Sequence, residues 1–147
     1  METQEPNGVK VTSIDQIGIV VRDVDSVIES WTRLLGVGPW EIREMETTDR
    51  AGNKAKTKLG FTNIGSVQIE LIESVEGKTF YADFLEKQGE GMHHVCVRVD
   101  DLDATTENLG KKGVKLLFGR RGRFAYMDTI DPGGVMFEFS QRQRDTT

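Results

Sequence analysis

The chain has a single cysteine, Cys96, so no intrachain disulfide can form. The stapled framework of a small secreted domain is therefore absent, which favours a reducing, cytoplasmic setting. No apolar run approaches the ~18 residues of a membrane span. The opening METQEPNGVK lacks an apolar core and does not read as a signal peptide. Positive charge is in deficit: 19 Lys and Arg stand against 24 Asp and Glu, a net charge of −5. That balance argues against nucleic acid and against anionic membrane surfaces as partners. What is present is ordinary for a globular chain, with 37% hydrophobic and 29% charged residues in 147. A fold of this size buries roughly 70% of the surface its unfolded chain exposes, so it needs no staples.

Hydrophobic alternation marks strands at Ile14–Arg22, Trp40–Glu46, Lys54–Thr62 and Val67–Ser74. Between the first two, SVIESWTRLLG carries Val27, Trp31, Leu34 and Leu35 at helical spacing, with Asp23 or Asp25 as cap and Gly36 as stop. A short helix at Thr79–Gln88 closes at Gly89. The order then repeats. HHVCVRVD is a strand, Asp100, Asp101 and Asp103 offer caps to ATTENLGKKG, and strands follow at Val114–Phe118, Phe124–Thr129 and Val135–Gln141. The tail QRQRDTT reads as polar and frayed. IDQIGIVVRDVDS aligns with MHHVCVRVDDLDA, and SVQIELIES with GVMFEFSQR, so the chain contains an internal repeat. Neither half can cover its own sheet, so the two are expected to form one domain over 1–147. Module one covers about 14–76, a linker helix 79–88 and module two 92–141. The predicted fold is α+β, an eight-stranded cupped mixed sheet with helices outside.

The repeat superposes Gln16 on His94 and Glu70 on Glu138. Taken singly, each has a plainer reading: a hydrogen-bonded strand histidine, two carboxylates facing solvent, an uninformative amide. Taken together, they offer an imidazole, two carboxylates and an amide oxygen from strands that two-fold symmetry brings into one cup. That mostly hard donor set suits a six-coordinate divalent ion with two open positions, and zinc accepts it too. His93 is expected on the opposite side of its strand from His94. Cys96 shares the His94 face and reads as a small packed residue. Trp40, Phe61, Phe124 and Tyr126 could wall a cup or simply pack. The basic stretch GRRGR, with Arg121 and Arg123, suits phosphates, and Lys56 and Lys58 suit a substrate carboxylate; the plain alternative is solvated charge.

IDQIGIVVRD, LLGVGPW, VQIELIES, FLEKQGEGMHHVCVRVDDLD and DPGGVMFEF together resemble the vicinal oxygen chelate superfamily, which includes glyoxalases, bleomycin resistance proteins and dioxygenases. The match is strongest to its methylmalonyl-CoA epimerase and glyoxalase branch, over about residues 14–141. The resemblance implies a pair of βαβββ modules around one divalent ion (Co2+, Ni2+, Zn2+ or Mn2+), with Glu70, His94 and Glu138 as ligands. Gln16 stands where most epimerases of the branch have histidine; a Gln, Glu, His, Glu set is similar to that of eukaryotic glyoxalase I. Glu138 matches a catalytic base. The stretch KAKTKLGF (Lys54–Phe61) matches the strand that carries a second glutamate in some epimerases, and it has no carboxylate. The arginine and asparagine that hold glutathione in glyoxalases correspond here to Val20 and Ser74.

The expected function is therefore a metal-dependent epimerase or isomerase acting beside a carbonyl, with methylmalonyl-CoA as leading substrate and a CoA thioester as small-molecule partner. The alternatives are a glyoxalase I-type lactoylglutathione lyase and a non-catalytic, antibiotic-type binding protein on the same fold. Sheet edges and apolar residues such as Trp31 lead to the expectation of a homodimer.

Overall fold

In the computed structural model, residues 9–49 and 51–141 are described. The expectations for the first eight residues and for the tail beyond Gln141 lie outside them. The elements run β1 (Ser13–Val20), α1 (Val24–Leu35), β2 (Glu41–Thr48), β3 (Lys54–Ile64), β4 (Val67–Glu76), α2 (Ala82–Gln88), β5 (Gly91–Val99), α3 (Leu102–Lys111), β6 (Leu116–Arg120), β7 (Phe124–Met127) and β8 (Phe137–Gln141). The eight strands form a mixed sheet in the order β2-β3-β4-β1-β5-β8-β7-β6. No described helix is long and apolar enough to cross a membrane. The chain divides into two compact units, Gln16–His94 and the segments flanking it on either side.

In the unit Gln16–His94, β1 runs parallel to β4, while β3 pairs antiparallel with both β2 and β4. Strand alternation sorts its side chains between two faces. Ile69 and Leu71 of β4 turn to one face and pack with Val21 and Val24, against Val27, Ile28 and Trp31 of α1. Glu70 and Ile72 turn to the other. There Ile72 packs with Val20 and Leu59, under Tyr81, Phe84 and Leu85 at the start of α2. Trp31 is thus drawn into the α1 core rather than left as an open apolar patch.

In the second unit, β5 runs parallel to β8, and β7 joins β8 and β6 antiparallel. Val97, Val99, Leu102, Ala125, Met127 and Phe139 make its core, with Leu109 of α3 against it.

Details within the two units bear out the internal repeat. Asp23 caps α1 by accepting from Ser26 N, and Asp101 caps α3 by accepting from Ala104 N. The Val24 amide donates to Glu73 of β4, and the Leu102 amide donates to Gln141 of β8. Gly18 lies opposite Glu70, as Cys96 lies opposite Glu138. Each of these pairs is related by the offsets that the sequence alignment of the halves requires. A side-chain acceptor from the closing strand satisfies an amide that a helix start leaves without an intrahelical partner.

Leu71 is fully buried between β4 and α1. Leu71→Ala should lower stability by about 3 kcal/mol, whereas Leu34→Ala, at a position 64% exposed, should stay within about 0.5 kcal/mol. Urea unfolding with unchanged m-value checks both.

Candidate functional site

The face of β4 that carries Glu70 also carries Gln68, and β1 sets Gln16 and Gly18 beside them in register. Gly18 has no side chain, and the His94 imidazole occupies the space above it. A Cβ built on Gly18 would overlap the ring. His94 is fully buried, and its Nε2 lies 3.3 Å from Gln16 Oε1 and 3.6 Å from Glu70 Oε1. Gln16 Nε2 donates to Gln68 Oε1 at 2.8 Å.

His93 departs from simple alternation. Its Nδ1 lies 2.9 Å from His94 Nδ1. Its ring meets Phe80, Tyr81 and Phe84 edge-on, with centroids 5.0–5.5 Å away. Two of those rings, Tyr81 and Phe84, belong to the cluster around Ile72, so His93 joins the side of the sheet that carries His94. Burial, and secondarily the neighbouring His94, push its pKa down to about 3. With His93 at Nδ1, His94 presents Nε2 toward the oxygens of Gln16 and Glu70, the arrangement a ligating imidazole needs.

These three donors fit a divalent ion. Ligands about 2.1 Å from a metal at tetrahedral or octahedral angles stand about 3.0–3.4 Å apart, close to the spacings seen here. His, Cys, Asp and Glu alone make no such group of three or more among the described residues. The third donor is the Gln16 amide.

Glu138 belongs to the second unit. On β8 it faces Cys96 across one strand pair and Tyr126 across the other. Tyr126 is buried and stacks on Phe118 at 6.2 Å. Cys96 is packed, with Sγ 3.6 Å from Ser140 Oγ, in line with a small core residue. Arg121 and Arg123 are exposed in the turn between β6 and β7.

Lys56 and Lys58 require a correction. On β3, Phe61 lies opposite Glu70 and Leu59 opposite Ile72, so the odd residues share the Glu70 face. The two lysines alternate to the α1 side. Lys58 Nζ bonds Asp25 at 2.6 Å, and Lys56 Nζ bonds Glu44 at 2.9 Å. These hydrogen bonds raise both above the ordinary lysine pKa. Neither faces the Glu70 side. Arg43 of β2 does, its guanidinium lying 5.4 Å from the Phe61 ring centre and bonding Glu41. Trp40 acts as a packing anchor against α1, its Nε1 donating to Thr32 Oγ1 and Val37 O.

Gln68, Gly18 and Arg43 are not singled out by the sequence. For Gln68 and Gly18 a signal existed, since each lies two residues from a candidate ligand on a strand.

The Glyoxalase/Bleomycin resistance protein/Dioxygenase superfamily matches residues 15–128. The chain belongs to that superfamily. It is 27% identical over 135 residues to human mitochondrial methylmalonyl-CoA epimerase, covering 87% of this chain and 73% of the human protein. The crystal structure of methylmalonyl-CoA epimerase from Mycobacterium tuberculosis superposes with TM-score 0.67 at 28% identity, covering 96% of this chain and 94% of that one. A Streptomyces coelicolor methylmalonyl-CoA epimerase variant in complex with 2-nitronate-propionyl-CoA gives TM-score 0.69 at 26% identity, covering 90% and 95%.

Gly18→Ala should force the His94 ring aside, at a cost of about 2 kcal/mol. Gly110→Ala in α3, where the added methyl meets nothing within 4 Å, should be neutral or stabilising by up to about 1 kcal/mol. Thermal unfolding checks the pair, and displaced His94 ring resonances in the NMR spectrum check the cause.

Proposed function

We propose that this chain is a divalent-metal-dependent epimerase or isomerase that moves a proton on the carbon beside a carbonyl, with methylmalonyl-CoA as substrate. The observation that carries the reading is that His94 Nε2 lies 3.3 Å from Gln16 Oε1 and 3.6 Å from Glu70 Oε1, so an imidazole nitrogen faces two hard oxygens. Its similarity to methylmalonyl-CoA epimerases supports the reaction class. Gln16, Glu70 and His94 would hold the ion, with Glu138 as fourth ligand. An ion such as Co2+, Ni2+, Zn2+ or Mn2+ supplies Lewis acidity to a substrate carbonyl oxygen when bound.

Glu138 is the proposed base, a role that rests on its match to a catalytic base of the superfamily's epimerase branch. It takes the proton from the carbon beside the carbonyl. The buried β3 residues Thr57 and Leu59, with Phe61, line the Glu70 face and include no acid. Return of a proton to the opposite side is assigned to water, and Glu138 then gives its proton to the hydroxide left behind. Tyr126, next to Glu138 in the sheet, walls the substrate, and Arg121 and Arg123 suit the phosphates of a CoA thioester. A cytoplasmic homodimer belongs to the same reading.

The lyase alternative is less favoured by the residues at the glutathione-holding positions. Val20 is fully buried in the cluster with Leu59 and Ile72, and the Ser74 hydroxyl accepts from Thr79 Oγ1 at 2.8 Å.

Proton NMR in D2O tests the reading. Cobalt-loaded protein should exchange the α-proton of methylmalonyl-CoA for deuterium, and His94→Ala and Glu138→Gln should each slow this at least about 100-fold. Loaded protein that leaves the α-proton in place overturns the epimerase reading. Turnover of the glutathione hemithioacetal of methylglyoxal instead selects the lyase. Failure to take up Co2+, Ni2+ or Zn2+ selects the binding protein.

A further inference from the structure

Gln16 enters the donor set with a difficulty that Glu70 and His94 do not share. A glutamine amide has an oxygen and an NH2 of nearly the same shape, and only its hydrogen bonds decide which one faces a given neighbour. The oxygen is a hard donor for a cation, whereas the NH2 presents hydrogens and repels one. Nothing in the backbone of β1 makes this choice.

The side chain that can make it is Gln68. Parallel pairing sets Gln68 directly opposite Gln16. Gln68 Oε1 accepts from Gln16 Nε2 at 2.8 Å, so the amide nitrogen is held away from the centre. Gln16 Oε1 is then left facing His94 Nε2 at 3.3 Å. Gln68 also lines a groove of ≈ 310 Å³ with Trp40, Glu41, Phe61 and Asn63.

We propose that Gln68 is a positioning residue: by accepting from Gln16 Nε2 it turns Gln16 Oε1 toward His94 and Glu70, and tight binding of a divalent cation depends on that acceptor. The inference rests on the metal reading of the preceding subsection and adds a residue that would touch neither ion nor substrate. Any side chain with an oxygen acceptor at position 68 preserves the orientation; one without releases the Gln16 amide to turn.

The test is Co2+ titration of metal-free protein, followed by calorimetry and by the visible absorption of the bound cobalt. Gln68→Leu should weaken Co2+ binding about 10-fold or more, within the range for partners that orient a metal ligand. Gln68→Met, which keeps the chain length without an amide, should do the same and stands in if the leucine variant folds poorly. Gln68→Glu, which keeps an oxygen acceptor, should stay within about threefold of the parent. In a Gln16→Ala background Gln68→Leu should cause no further loss, because the amide it orients is gone. Parent-like affinity in Gln68→Leu and Gln68→Met overturns the inference and leaves the metal reading standing. Equal loss in the Gln16→Ala background, or a Gln68→Glu protein as weak as Gln68→Leu, also overturns it. A parent protein that binds no Co2+ overturns both.

Discussion

The His94 imidazole lies above Gly18, where any other residue would place a side chain. Because β1 and β4 run parallel and in register, Gly18 sits between Gln16 on its own strand and Glu70 on the next. The ring therefore comes within reach of both oxygens at once. A methyl group at this one position would separate an imidazole from a carboxylate and an amide. The interior is close-packed and the ring is fully buried, so nearby space is not available to absorb the shift.

Face parity then decides which residues can belong to the centre. Along β3, one step of alternation separates Phe61 and Leu59 from Lys58 and Lys56. The charged residues of that strand are spent on the α1 side, in pairs with Asp25 and Glu44. Such partly exposed pairs add little stability, but they keep two ammonium groups off the face that holds Glu70. A cation site benefits from that exclusion, since a lysine beside Glu70 would compete for its carboxylate.

Much of this was legible in the sequence because the repeat carries redundant information. Gln16 and His94, or Glu70 and Glu138, say little singly; at matched offsets they locate strands, caps and donors together. The amide contacts of Val24 with Glu73 and of Leu102 with Gln141 confirm that the halves share their fine structure. The side of the sheet that Lys56 and Lys58 take is not legible, because alternation relative to Glu70 depends on the β3–β4 register, which a sequence does not print. His93 was misread for a different reason. Alternation predicts opposite sides for neighbours on a strand, yet the rings of Phe80, Tyr81 and Phe84 offer an apolar seat that draws His93 back to His94. Tertiary packing overrode the local rule.

Charge accounts for the remaining demand on the centre. Within the unit Gln16–His94 the three donors bring one negative charge, from Glu70, because the amide and a ligating imidazole are neutral. A divalent ion held by them would keep one uncompensated positive charge in a largely buried place, which is costly. A further anionic oxygen relieves it. In the proposed turnover, the negative charge that develops on a carbonyl oxygen when the neighbouring proton leaves would supply it. A neutral amide at position 16 leaves that positive charge for the substrate oxygen, where a second carboxylate would already have cancelled it.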